Sequence, residues 1–186
     1  MFCSKKRVHF PILTCLISVL ITGMTSLCAS AQPQSIGVTS SFCGFAISYE
    51  HKLKNQESFL EMNLKAETAE LFLFRSEYPG ISASVNWNII FKQWLTSEGN
   101  TVSLYAGPGA NIGYGKDFKT KDGLHFGLQG KVGVKCDYSK KISISVCITP
   151  IIGSHMTFDD RYVSMKYFRN GIQYALVPEI GIKYRF

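Results

Sequence analysis

From residue 101 the chain reads TVSLYAGPGANIGYG, with Val102, Leu104, Ala106, Pro108, Ala110, Ile112 and Tyr114 in one phase and Ser103, Gly107, Gly109, Asn111, Gly113 and Gly115 in the other. A period of two residues sends alternate side chains to opposite faces of a strand. The pattern returns in Leu124, Phe126, Leu128, Val132, Val134 and Tyr138, in Ile142, Ile144, Val146 and Ile148, and in Ile81, Val85, Trp87, Ile89 and Phe91. It is weaker over 45–53 and 59–68 and clear again from Ile172 to Phe186, while helical periodicity is hard to find. Soluble sandwiches also alternate, so length and the polar phase decide the surroundings. These segments run to about 11–15 residues, beyond the roughly 5–6 of an ordinary strand and above the roughly 9–11 that cross a bilayer at a tilt. The polar phase mixes Gly with Ser, Asn, Gln and charges of both signs, which suits a crowded interior, and leaves the apolar phase for lipid. In lipid only a closed sheet pairs every backbone amide of a strand. The expected fold is therefore all-β: a closed antiparallel up-and-down transmembrane β-barrel of about eight strands.

Seven strands are legible, roughly 44–53, 57–70, 80–93, 101–115, 123–138, 142–153 and 172–186. An even count is usual for such barrels, so an eighth is expected at Ser35–Ser41, with 157–167 as the less favoured position. The first choice gathers 54–56, 95–100 and 139–141 as short periplasmic turns and sends 71–79, 116–122 and 154–171 outward. In the hairpin around Ser139-Lys140-Lys141, a three-residue turn pairs Cys136 with Ile144 and Gly133 with Cys147. A two-residue turn would set apolar against polar positions.

The chain begins with Lys5, Lys6 and Arg7, an apolar run from Ile12 to Met24 and Ala29-Ser30-Ala31. The run is too short for a helical span, which needs roughly 20 residues, and the small residues suit a peptidase. Residues 1–31 are expected to be a cleavable signal peptide and 32–186 one outer-membrane barrel domain; a lipoprotein cut before Cys28 is disfavoured by Leu27. Cleavage removes Lys5, Lys6 and Arg7 and no acid, so the net charge of +7 becomes +4. With basic and acidic residues interleaved, no nucleic-acid partner is expected. Of the six cysteines, Cys43, Cys136 and Cys147 remain. That odd number argues against a disulfide framework, and Cys136 and Cys147 fall in opposite phases.

The polar phase places Glu50, Glu61, Lys65, Glu67, Lys131, Lys135, Asp137, Glu179, Lys183 and Arg185 in the lumen, where they are expected to pair with one another. Tyr105, in the same phase, is expected to help fill it. Trp94, Tyr114, Tyr138, Tyr184 and Phe186 fall near strand ends, as interfacial aromatic girdles require.

The signal, the amphipathic strands, the Gly-rich YAGPGANIGYG and the closing PEIGIKYRF resemble the small outer-membrane β-barrels of the OmpA/OmpX type. They look most like the outer-membrane β-barrel domain proteins of Bacteroides-like bacteria. The resemblance spans about residues 35–186 and carries no active-site motif. It implies that the last strand, through Ile180, Ile182, Tyr184 and Phe186, is the address read by the barrel-assembly machinery.

The function expected is that of a non-enzymatic integral barrel in the bacterial outer membrane, monomeric, with lipids as neighbours and no cofactor or metal. Its lumen is expected to be filled by side chains rather than open to diffusion, and its role to anchor surface loops or support the envelope. A narrow channel is a less favoured reading. An alternative is an adhesion or ligand-binding module using the loop 154–171, where Phe158, Arg161, Tyr162, Lys166, Tyr167 and Phe168 are residue types enriched at interfaces. A lipid-modifying enzyme built on Ser154, His155 and Asp159 is the least favoured, because such spacing arises readily by chance.

Overall fold

The computed structural model describes residues 34–42, 44–53, 57–68, 80–116, 122–159, 162–167 and 177–186. They form strands β1 (Gln34–Ser41), β2 (Gly44–Lys52), β3 (Ser58–Glu67), β4 (Gly80–Leu95), β5 (Thr101–Lys116), β6 (Asp122–Asp137), β7 (Ile142–Ile148), β8 (Ile151–Asp159), β9 (Tyr162–Tyr167) and β10 (Glu179–Arg185). Each of β1 to β6 pairs antiparallel with the next in sequence. β6 then pairs with β7 over its second half and with β8 over its first. β7 pairs with β10, and β10 returns to β1, from Ser35 opposite Arg185 to Ser40 opposite Ile180. The sheet thus closes into an eight-walled barrel in which β7 and β8 make one wall.

The eighth wall is β1, at the position preferred from the sequence. The competing segment supplies β9, which pairs with β8 as a hairpin and does not occupy the place of β1. The wall expected as one strand from 142 onward is interrupted at Thr149-Pro150. Proline has no amide proton for a ladder rung; its carbonyl still accepts from the Gly130 amide at 2.9 Å. The last strand is described from Glu179, and its expected beginning at 172–176 lies outside the described residues.

The described strand ends sort to two ends of the barrel. Gln34, Lys52, Ser58, Phe186 and the turns 96–100 and 138–141 lie at one, here called the terminal end. Ser41, Gly44, Glu67, Gly80, Lys116, Asp122, Asp159 and Tyr162 lie at the other, the loop end. At 139–141 the expected register holds: Gly133 faces Cys147 and Cys136 faces Ile144. The Ser139 hydroxyl oxygen accepts from the Lys141 and Ile142 amides at 3.2 and 3.0 Å, and the Ser139 amide donates to the Ile142 carbonyl. At 96–100 the Gly99 amide donates to the Thr96 carbonyl, and Gly99 takes a φ of 81° that a side chain would strain.

The two faces have opposite chemistry. Outside, Ile36, Val38, Ile47, Val85, Trp87, Ile112, Phe126, Leu128, Val132, Val134, Ile144, Val146, Ile180 and Ile182 are all exposed. Inside, Ser48, Glu50, Glu61, Asn86, Asn88, Lys131, Lys135, Ser143 and Lys183 are buried. Trp94, Tyr138, Tyr184 and Phe186 are exposed at the terminal end, and Phe42 and Phe45 at the loop end. Trp94 reaches the outer face through a feature the alternation does not announce. The β4 register against β5 shifts between Ile90 and Lys92, so Phe91 is an extra residue. The bulge reverses the phase of the residues after it and sets Trp94 opposite Val102.

Candidate functional site: the ionic lumen

Glu50 on β2 and Glu61 on β3 are direct cross-strand partners, and both are almost wholly buried. Two carboxylates so placed repel each other. The structure answers with three lysines in an alternating chain. Lys183 Nζ, on the closing strand, stands 3.1 Å from Glu50 Oε2 and 2.9 Å from Glu61 Oε1. The other oxygen of each carboxylate takes its own lysine: Lys135 binds Glu50 Oε1, and Lys131 Nζ lies 2.8 Å from Glu61 Oε2. Asn88 Nδ2 adds a donor to Glu61 at 3.2 Å. The order Lys135, Glu50, Lys183, Glu61, Lys131 carries one surplus positive charge and crosses the bore from β6 to β2, β3 and β10.

The small residues of the polar phase make this arrangement possible. Lys183 is flanked by Gly37 on β1 and Ser143 on β7, and Lys135 by Ser103 and Ser145. A Cβ built on Gly37 would lie 2.7 Å from Lys183 Cγ. The lysine stem therefore runs over the bare backbone of β1 to reach carboxylates one and two strands further on. Gly109 serves the row above in the same way. It lies between Asn86 and Gln129 in register, and Gln129 Nε2 donates to Asn86 Oδ1 at 2.8 Å across it.

Beside the ionic chain sits an aromatic step. The rings of Phe59 and Tyr105 meet edge to face at 5.2 Å between centroids, and Lys135 Nζ lies 4.8 Å above the Phe59 ring. Tyr105 is opposite Gly133, where a Cβ would come within 2.6 Å of the Tyr105 hydroxyl. Phe59, Tyr105 and Cys147 are buried together. Cys147 thus faces inward, whereas Cys136 opposes Val102 and Ile144 on the outer face; Cys43 lies outside the described residues.

The remaining charged residues expected in the lumen form separate contacts. Lys65 Nζ reaches Glu179 Oε1 at 2.9 Å, Arg185 Nη2 reaches Asp137 Oδ1 at 2.6 Å, and Glu67 Oε1 stands 4.0 Å from His125 Nε2. The aromatic step, the Asn86–Gln129 bond and a His125–His155 pair are additions that sequence reasoning missed. Only the polar phase of His125 hinted at the last. Ile180, Ile182 and Tyr184 lie on the outer face of β10, each exposed, and Phe186 follows it, its amide donating to the Gln34 carbonyl at 3.0 Å across the seam.

Ser154 and His155 do not form a catalytic pair. Ser154 opposes the outward Phe126 and His155 opposes the inward His125, because neighbours in a strand point to opposite faces. Of the loop residues expected to meet a partner, Phe158, Tyr162, Lys166 and Tyr167 belong to the β8–β9 hairpin by their backbone. Arg161 and Phe168 lie outside the described residues.

The fold and its interior define a closed, antiparallel, eight-walled barrel that is apolar outside and ionic within. No protein-family model matches the chain, and no curated protein does. Among solved structures it is similar to the N-terminal β-barrel domain of Pseudomonas aeruginosa OprF, at 9% identity and a TM-score of 0.47, over 83% of this chain and 96% of that one. It is similar also to a major outer membrane protein from Thermus thermophilus, at 13% identity and a TM-score of 0.45, over 84% and 100% of the two chains. A third, Neisserial surface protein A, gives 13% identity and a TM-score of 0.39, over 83% and 95%.

Proposed function

We propose that this protein is an integral outer-membrane β-barrel, exported by its N-terminal segment and inserted with its loop end outward. Its lumen is closed by the lysine–glutamate chain, and it acts by anchoring surface segments or strengthening the envelope rather than by catalysis or diffusion. The observation that carries the reading is the inversion of faces: Leu128, Ile152 and Ile182 are 73%, 70% and 59% exposed, while Glu61 and Lys183 are 1% and 2% exposed. In water such a surface would associate; in lipid it is the stable side, and strands cross only as a closed sheet. The aromatic residues at both ends support the same placement. Membrane fractionation combined with gel mobility before and after heating tests it: the protein is expected in the outer-membrane fraction with a fast-migrating unheated form. A soluble periplasmic product with one mobility would overturn it in favour of a secreted binder.

A second reading, recognition of a surface partner, draws on the β8–β9 hairpin, whose backbone is paired from Ser154 opposite Tyr167 to Asp159 opposite Tyr162 at the loop end. Replacing 158–168 by a short Gly-Ser link would abolish adhesion or ligand capture while leaving the unheated fast form intact. Retention of both would exclude this role.

A further inference from the structure

Above Pro150 a single ladder ties the β8–β9 hairpin to the barrel. Among the described residues β9 pairs with β8 alone, and β8 pairs on its other side with β6, from Gln129 opposite Ile151 to Gly123 opposite Thr157. Proline breaks the strand at the base of this ladder, where the Gly130 amide still donates to the Pro150 carbonyl at 2.9 Å. On the inner face the rungs that follow Gln129 and Ile151 are Gly127 with Gly153, His125 with His155, and Gly123 with Thr157. A glycine rung has no side chains to pack and weakens the strand. The two buried imidazoles are therefore the large inward pair that joins β8 to β6 near the rim.

The surroundings suit this pair in its neutral form. The Gly115 carbonyl, 3.3 Å from His155 Nε2, can only accept, so Nε2 carries the proton and Nδ1 is left to accept from the Thr157 hydroxyl at 3.3 Å. On β3, Glu67 Oε1 stands 4.0 Å from His125 Nε2 and accepts from the Ser82 hydroxyl of β4 at 3.2 Å, while Lys65 is engaged by Glu179 of β10. On β5 the neighbours are glycines: a Cβ on Gly113 would overlap the His125 ring. On β9, Lys166 is opposite His155 in register, and Asp159 ends β8. Glu67 can thus offset one of two imidazolium charges. Like charges directly opposite each other in a ladder destabilise it, and histidine is the side chain whose charge changes between about pH 5 and 8. We propose that the β8–β9 hairpin is a pH-released flap, held to β6 by the neutral His125–His155 pair and freed from β6 above Pro150 when both imidazoles are protonated. The flap rests on the barrel reading, since it needs β6 fixed in a closed wall.

The test is amide hydrogen exchange of the full protein in detergent, read by mass spectrometry at about pH 7.5 and 5.5 and corrected for the intrinsic pH dependence of exchange. Amides of 123–127 and 154–157 are expected to exchange at least about fivefold faster at the lower pH, while 132–136 and 143–147, on the β6–β7 ladder, keep their protection. His125→Gln and His155→Gln each retain a hydrogen-bonding side chain that cannot charge, and should cut the change below about twofold. Glu67→Gln should enlarge it, and His51→Gln, at the terminal end, should leave it as in the parent. Equal protection of the parent at both pH values, or the same acid loosening in the double histidine variant, would overturn the flap. So would loss of the fast unheated gel form at the lower pH, which would mean that the whole barrel opens. Absence of that form at about pH 7.5 would count instead against the barrel.

Discussion

Replacing Lys183 with Met tests whether the ionic chain holds the barrel shut. The substitution keeps the length of the stem that crosses Gly37 but removes contacts of 3.1 and 2.9 Å to Glu50 and Glu61. Those two glutamates are left facing each other across β2 and β3, each with a single lysine on its far side. Removing one member of a buried ionic group costs about 3–5 kcal/mol because the remaining charge is uncompensated. Lys65→Met provides the contrast. The Lys65–Glu179 pair is also 2.9 Å long, but its side chains are 26% and 16% exposed, so water takes over part of the lost interaction and the expected cost is about 1 kcal/mol. Equilibrium urea unfolding of the refolded protein in detergent, read by tryptophan fluorescence and by gel mobility, gives both values. Because Lys183 and Glu61 share a contact, Lys183→Met with Glu61→Gln should cost less than the two single variants added together, by about 0.5–3 kcal/mol. A Lys183→Met protein within about 1 kcal/mol of the parent, or no more affected than Lys65→Met, would refute the view that this chain is a working closure.

Gly133→Ala should destabilise by about 1–3 kcal/mol, since its new methyl meets Tyr105 and Cys147; denaturation of the double variant with Tyr105→Ala should recover part of that loss. Val132→Arg, on the outer face near mid-strand, should cost about 2–4 kcal/mol in refolding into bilayers, and Val102→Arg, on the outer face opposite Trp94 at the terminal end, about 0–1. Equal costs would place the outer face in water. Deleting Phe186 removes an exposed ring and one seam hydrogen bond, so refolding into detergent should stay near normal while surface levels in cells fall sharply. Normal surface levels would remove the assembly-signal role. Membrane-impermeant thiol reagents should label neither Cys147, buried beside Tyr105, nor Cys136 in intact cells; rapid labelling of Cys147, read by mass shift, would mean an open bore.

Much of this architecture could be read from alternation, because a strand wall fixes the direction of every side chain once one is known. The phase that holds Lys131, Lys135 and Asp137 had to face inward if Val132 and Val134 faced lipid, and the three-residue turn at 139–141 followed from matching phases. The partners inside the bore could not be read the same way. Lys183 and Glu61 are 122 positions apart, and which lysine meets which oxygen depends on tilt and stem length, not on period. Trp94 was expected in the outer girdle from its aromatic type and its place near a strand end, but the bulge at Phe91 that puts it there left no mark in local sequence. Pro150 did leave one: a proline inside an alternating run signals an interrupted ladder, and the expectation of one unbroken strand passed over it. The histidine pair was hidden because His125 and His155 become neighbours only through the β6–β8 register.

The thinness of the apolar interior bears on what such a chain can do outside a bilayer. Among the described residues only Ala46, Tyr49, Phe59, Tyr105 and Cys147 are buried hydrophobic side chains, far too few to collapse about 150 residues into a stable globule in water. Charges and amides occupy the space where a soluble domain would keep its oily centre. Without a bilayer the polypeptide therefore has little apolar interior to collapse around. Alternation also interrupts the hydrophobicity of the wall every few residues, so no stretch of it carries the roughly 20 continuous apolar residues of a membrane-crossing helix.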